Sequence, residues 1–429
     1  MATPARRRWG IVALTVCALG LSALTASPAS AANDVLDSST RLYVDPHSTT
    51  KDAAKALRGQ AKRDALTLSR IPSATWFTEG TPAEVRHDVR TLVRRAGNKV
   101  PVLVAYNLPF RDCALYSAGG AAGPDAYKAW VDAFAAGIGN EQAVVVLEPD
   151  GLGVIPWYTT LDGQLEGCRP AELDPATTGV QPSVERFELL RYAVERIAQQ
   201  PNVALYLDGT GPSWLAVPEI TDRLLKAGVQ GADGFFLNVS NYERTENDVA
   251  YGTWISQCLA YATVVAPGSV AECGHQYWSG GPANDWTGVV LRNTGIWSDT
   301  AEDPTLNTAG ITSRYELVLG GVEPTTHFVV DTSRNGQGAW TAPAGKYTDA
   351  ETWCNPPGRG AGLRPTTRTG NELVDALLWI KVPGESDGRC LRGTAGPADP
   401  ERGMVDPAAG QWFVEQAREL VELAQPPLR

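Results

Sequence analysis

Several things are scarce in this chain of 429 residues, and each scarcity removes a class of protein. The four histidines are scattered and no two cysteines form a Cys-x-x-Cys pair, so no metal site is expected. No Gly-x-Gly-x-x-Gly turn follows the first strand candidate, which leaves a dinucleotide cofactor without support, and no cofactor is expected. Beyond residue 31 no apolar run reaches the roughly 18 residues needed to cross a bilayer. Basic residues are the minority, 37 against 48 acidic, for a net charge of −11. Nucleic acid and anionic membrane surfaces both need a basic footprint, so neither is an expected partner. Long Ser/Thr/Pro-rich linkers and internal repeats are missing too. The stretch Trp340-Thr341-Ala342-Pro343-Ala344-Gly345 is too short to separate domains. Methionine (two) and phenylalanine (eight) are rare, which throws weight on thirteen tryptophans and thirteen tyrosines. Some of these will be core, but both ring types also stack on sugar faces while hydrogen-bonding at their edges.

What is present begins with a leader. Arg6, Arg7 and Arg8 precede an apolar run from Ile11 to about Leu24 and a small-residue exit at Ala29-Ser30-Ala31. This reads as a cleavable secretory signal over residues 1–31, with the export route open. Its three arginines come with no acid, so the charge becomes −14 once it is removed. Residues 32–429 are expected to form a single secreted, extracellular domain and to act as a monomer. Cys17 leaves with the leader, and the six cysteines that remain imply disulfides in an exported chain. Proximity favours Cys258 with Cys273 and Cys354 with Cys390, leaving Cys113 with Cys168.

Seven short apolar runs read as strands buried on both faces: Ala74 to Thr78, Val100 to Tyr106, Ala143 to Glu148, Val203 to Leu207, Gly234 to Val239, His327 to Val330 and Ala376 to Ile380. Helical patterns at Pro82 to Arg95, Ala126 to Gly137, Ser183 to Gln199 and Glu219 to Ala227 separate most of them. Strand and helix alternating at this spacing give an α/β fold with a parallel sheet. Seven units favour a closed, TIM-like (β/α) barrel over an open doubly wound sheet.

The strands end in polar groups. Val144-Val145-Val146-Leu147 stops at Glu148-Pro149-Asp150, and the others lead to Asp112, Asp208, Asn238, Asp331, and through Lys381 to Glu385 and Asp387. Any one of these reads equally well as a helix cap or a solvated turn. Together they place about six polar groups around one rim, where barrel enzymes carry their chemistry. A rim of carboxylates, tryptophan-bearing loops and an export leader suggest glycoside hydrolysis. That reaction needs one carboxylic acid kept protonated and a second group to activate water.

At this point the sequence resembles glycoside hydrolase family 6, the inverting cellulases. The motifs that carry the resemblance stand in order: Tyr106-Asn107-Leu108-Pro109-Phe110-Arg111-Asp112-Cys113, Val146-Leu147-Glu148-Pro149-Asp150, Tyr206-Leu207-Asp208, Asp331-Thr332-Ser333-Arg334-Asn335-Gly336, Trp353-Cys354-Asn355, and Trp379-Ile380-Lys381 through Glu385-Ser386-Asp387-Gly388. The resemblance runs from about Tyr43 to the C-terminus. It implies a distorted seven-stranded barrel that cuts β-1,4-glucan or cello-oligosaccharides with inversion. Asp150 would be the general acid, and Asp112 would help keep its proton on by like-charge repulsion. Asp387 would be the base, directly or through a water chain. Asp208 and Asn238 would stand near the sugar, Tyr106 would press on the reacting ring, Lys381 and Glu385 would bind hydroxyls, and Trp76, Trp214 and Trp353 would be stacking platforms. The family also implies Cys113 with Cys168 and Cys354 with Cys390.

Three departures from the family pattern carry weight. A histidine often found after the strand-four aspartate is replaced in Asp208-Gly209-Thr210-Gly211-Pro212-Ser213-Trp214. The position of a water-holding serine is Ala118, with Ser117 beside it. Only Gly388 and Arg389 separate Asp387 from Cys390, too little chain to roof the cleft, so internal cutting is expected. An exo-acting cellobiohydrolase and a non-catalytic glucan-binding barrel are the alternatives.

Overall fold

Runs of β-branched and large apolar residues can all be buried only if both faces of the sheet are covered, and the structure meets that demand with two separate cores. It is a computed structural model that describes residues 1–2 and 35–428; the rest of the expected leader lies outside the described residues. Seven parallel strands follow one another in sequence order: β1 (Thr75–Phe77), β2 (Val102–Ala105), β3 (Ala143–Leu147), β4 (Val203–Asp208), β5 (Gly234–Leu237), β6 (His327–Asp331) and β7 (Val374–Leu378). The helices are α1 (Thr49–Ala56), α2 (Gly59–Leu68), α3 (Pro82–Ala96), α4 (Pro124–Ile138), α5 (Pro175–Thr178), α6 (Pro182–Ile197), α7 (Val217–Ala227), α8 (Thr245–Ala260), α9 (Ala309–Leu319) and α10 (Val414–Glu422). Among the described residues no helix is long and apolar enough to cross a membrane.

Alternate strand residues sort between the cores. Val144 and Val146 of β3 meet Val104, Ala204, Tyr206, Phe236 and Val329 in a cluster without helical residues, which is the barrel interior. Val145 and Leu147 join Leu103, Leu205, Phe235 and Val330 in the larger core shared with α3, α4, α6, α7 and α8. The sheet curls into a distorted, TIM-like barrel in which β1 and β7 share no ladder. The seam is crossed by Ala74 N–H donating to the Trp379 carbonyl at 2.9 Å and by the Trp76 indole donating to the Ile380 carbonyl at 2.8 Å.

Element positions agree with the sequence reading to within about two residues, and β7 shows why they differ. It begins earlier than expected because Asp375 is satisfied inside the strand, accepting from Tyr206 Oη at 2.6 Å and meeting His327 Nδ1 at 2.7 Å. It ends earlier because the N–H groups of Ile380 and Lys381 turn to the Asp331 carboxylate, at 3.1 and 2.9 Å, and leave the ladder. Helices α8 and α9 were not expected. Ten of the sixteen residues of α8 are buried, polar Asn247 and Asp248 among them, so no clean apolar stripe marks it.

The six cysteines pair as Cys113–Cys168, Cys258–Cys273 and Cys354–Cys390. Helix α3 starts on a capping box, Thr81 with Glu84, and packs closely on α4. That approach requires a glycine: a Cβ on Gly137 would stand 2.8 Å from Val89 Cβ and 3.0 Å from the Arg86 carbonyl. Gly137→Ala is therefore expected to destabilise by about 1–3 kcal/mol through overpacking. Thermal unfolding would show a lower midpoint, and an unchanged midpoint would refute this account of the α3–α4 contact.

Candidate active site

The acids at the strand ends divide into two groups with opposite duties. Glu148, Asp208 and Asp331 turn away from solvent and accept hydrogen bonds from the backbone of neighbouring loops. Glu148 takes the N–H groups of Asn107 and Leu108 at 2.9–3.0 Å, holding the loop after β2. Asp208 takes Leu152 and Gly153 at 3.2 Å and Thr210 at 2.9 Å, holding the loop after β3. Asp331 takes Ser333, Ile380 and Lys381 and holds the loop after β7. Asp112, Asp150 and Asp387 are left to face a cleft of about 370 Å³ at the same end of the barrel.

Of the eleven catalytic and substrate-binding positions expected from sequence, that cleft brings together eight: Trp76, Tyr106, Asp112, Asp150, Trp214, Trp353, Lys381 and Asp387. Asp208, Asn238 and Glu385 are not among its lining residues. Asn238 is fully buried; its amide donates to the Asp331 and Glu243 carbonyls and its oxygen accepts from Glu243 N–H. It joins the ends of β5 and β6 and has no polar atom left for a sugar. Glu385 is tied to Thr49 Oγ1 at 2.5 Å, linking the loop after β7 to α1. Asp208 acts on the cleft through the loop it holds and through its charge.

The electrostatics separate the three cleft acids. Among the described residues no donor reaches the Asp150 carboxyl, and burial, then Asp208 and Asp112, push it well above the usual carboxylate range. Its surroundings favour the protonated form. Burial raises Asp112 to about 6 against the opposing Ser117 N–H, which donates at 2.7 Å, and the Arg111 charge. Asp387 also loses solvation, but Arg334 and then Lys381 outweigh that and hold it below its ordinary range. Arg334 donates to both of its oxygens at 2.9 Å, while Tyr242 Oη and Asn355 N–H, each at 3.0 Å, donate to one of them. Asp387 is thus a fixed anion with its lone pairs largely taken.

Sequence reasoning missed Tyr242 as a holder of Asp387. It quoted Arg334 and Asn355 within motifs and gave them no role. An arginine beside strand-end acids was the available signal for Arg334. It also missed Arg186 of α6, which is buried and donates to the Gly151, Val154 and Pro109 carbonyls at 3.0–3.1 Å. One guanidinium so joins the loops that carry Asp112 and Asp150, with Glu148 as a nearby countercharge. Tyr106 lies edge-on to Trp76, ring centres 5.4 Å apart, with the Arg111 guanidinium 4.6 Å from its ring centre.

Three acids in unlike surroundings and a set of aromatic rings in one cleft at the end of a barrel suit a carbohydrate-cleaving enzyme. The comparisons narrow the class: the sequence pattern of glycosyl hydrolases family 6 matches residues 37–424, and the chain belongs to that family of cellulases. It is 34% identical to Endoglucanase 1 of Streptomyces halstedii over 90% of this chain and 94% of that one. It is 28% identical to the 1,4-beta-D-glucan cellobiohydrolase CEL6A of Pyricularia oryzae, over 88% and 69%. Among solved structures it is similar to the endoglucanase Cel6 of Mycobacterium tuberculosis in complex with a thio-linked cellobioside, with TM-score 0.61, 28% identity and coverage of 91% and 98%.

The acid at Asp150 depends on its charged neighbours, which gives a pH test. Above about pH 6 Asp112 is an anion and opposes ionisation of Asp150. Asp112→Asn keeps an acceptor for Ser117 and removes the charge, so Asp150 should lose its proton more easily. The alkaline limb of the kcat/KM profile should move to lower pH. A limb that stays in place would show that Asp112 does not set the acid.

Proposed function

We propose that this cellulase is a secreted endo-β-1,4-glucanase that cleaves internal bonds of cellulose or related β-glucan with inversion. The observation that carries the reading is the contrast, across one open cleft, between a partly buried Asp150 carboxyl that no donor reaches among the described residues and an Asp387 carboxylate held by Arg334, Tyr242 and Asn355. Asp150 gives its proton to the departing glycosidic oxygen. Asp387, clamped by Arg334 and Tyr242, supports positive charge developing on the sugar and receives the water's proton through intervening water, because its own lone pairs are engaged. Tyr106 shapes the ring at the cleavage point and Lys381 binds its hydroxyls.

Internal cutting is supported by how little covers the cleft. Trp214 and Trp353 leave 37% and 36% of their surface exposed. The chain from Asp387 is tied at once by Cys354–Cys390. A long polymer can settle into such a trough from the side without threading an end. The three disulfides support export to an oxidising compartment.

Proton NMR of cellohexaose during the first turnovers tests the chemistry, since inversion yields α-anomers at newly formed reducing ends before mutarotation. β-Anomers would overturn the assignment of roles. Asp150→Asn should lower kcat by roughly 10²–10⁴-fold while oligosaccharide binding persists, because the amide keeps the shape and has no acidic proton. For the mode of attack, viscosity of a soluble cellulose derivative should fall early relative to the release of reducing ends. A proportionate fall would favour the exo-acting reading.

A further inference from the structure

A second cavity of about 240 Å³ opens off the catalytic cleft through one stretch of shared wall, formed by Ser213, Asn241, Glu243, Thr352 and Trp353. None of the three cleft acids lines it, and neither does Trp76 or Trp214. It branches from the cleft at Trp353, the one platform the two share, on a side that Trp76 and Trp214 do not border. Its inner lining is polar and uncharged, Asn293, Thr294 and Thr341, with Trp340 and Tyr242 as aromatic walls and two small residues, Ala339 and Ala342. This is the composition that receives a neutral sugar: amides and hydroxyls for its hydroxyl groups and a ring face for its carbons. At about 240 Å³ the chamber falls below the roughly 300–1,000 Å³ of sites that enclose drug-sized ligands. A recess of this size beside the cleft has room for a single sugar ring.

The mouth of the chamber is built to a fixed geometry. The backbone of Glu243 is held by three side-chain amide contacts: its carbonyl accepts from Asn335 at 2.8 Å and Asn238 at 3.3 Å, and its N–H donates to Asn238 at 3.0 Å. One carboxylate oxygen accepts from Ser213 Oγ at 2.7 Å and from Asn293 Nδ2 at 3.2 Å. The other is buried and has no donor among the described residues. Ser213 has thereby committed its proton and offers only lone pairs to the cleft, and Asn293 has turned its oxygen free. Sugar hydroxyls are the donors such a wall calls for.

We propose that this chamber receives a single sugar carried as a side branch on the β-1,4-glucan backbone, so that the enzyme accepts glucans substituted on the exocyclic hydroxyl, the group that projects sideways from the ribbon. The inference rests on the cellulase reading of the main cleft. It predicts that β-1,4-gluco-oligosaccharides bearing α-xylose on O6 are cut as well as linear cellohexaose. Ala342 and Ala339 line the chamber and not the main cleft, so Ala342→Phe or Ala339→Leu fills it and leaves the catalytic groups alone. Either variant should lower kcat/KM on the branched substrate by about tenfold or more, the scale on which a pocket rejects a misfit group. Turnover of cellohexaose should be unchanged, which also reports that the variant is folded. Wild-type cleavage of cellohexaose without cleavage of the branched chain would overturn the inference and leave the cellulase reading standing. An equal loss on both substrates in both variants would overturn it too. Failure to cut either substrate would bring down the underlying reading together with the inference.

Discussion

The chemistry of this molecule depends on backbone held where side-chain-bearing residues rarely go. Asp112, Asp150, Glu148, Thr210, Asn238 and Ser240 all have φ between 54° and 67°, in the left-handed region, and all stand in the segments that follow strands β2 to β5. Each such residue is disfavoured unless its surroundings over-determine the turn. Here they do. Glu148, Asp208 and Asp331 strap the adjoining loops through their N–H groups, and Arg186 gathers carbonyls of the loops after β2 and β3. A strand that simply ran on into a relaxed loop would let the acid at its end swing into solvent, where it would ionise.

The same straps explain how a carboxyl can stay protonated in an acidic protein without a donor of its own. Asp208 is pinned to Leu152 and Gly153, so its charge cannot move away from Asp150. Asp387 is pinned more firmly, but by Arg334, whose positive charge sits on it directly. Two acids of one residue type are therefore pushed in opposite directions: burial and then neighbouring carboxylates raise Asp150, whereas Arg334 and Lys381 outweigh burial at Asp387 and lower it. Removing a buried partner from such a pair costs far more than the pair contributes in sum, because the survivor is left uncompensated.

How much of this could be read from the chain follows from what a linear pattern encodes. Short continuous apolar runs located all seven strands, because a strand covered on both faces must be apolar at successive positions. The family motifs led to the cleft acids because residues that face a substrate are constrained one by one. Orientation was not legible. Glu148 and Asp150 are two residues apart in Glu-Pro-Asp, yet one faces protein and the other the cleft, and only the strained turn between them decides which. Asn238 read as a rim residue because it ends a strand, and it became a strut because Glu243 and Asp331 lie within reach of its amide. Arg186 was invisible because nothing in a mid-helix arginine says which carbonyls it will meet across the barrel.

The cleft's openness and its side chamber follow from the same economy of loops. With Asp387 and Cys390 separated by two residues, the segment after β7 is consumed in holding the anion and tying Cys354. It has no length left with which to cover the trough. The opposite wall is set by the loop after β5, where Asn238 and Asn335 fix the Glu243 backbone and Glu243 in turn fixes Ser213. Gly211 lines the catalytic cleft and brings no side chain to it, and Glu243, through Ser213, orients the polar groups of this wall.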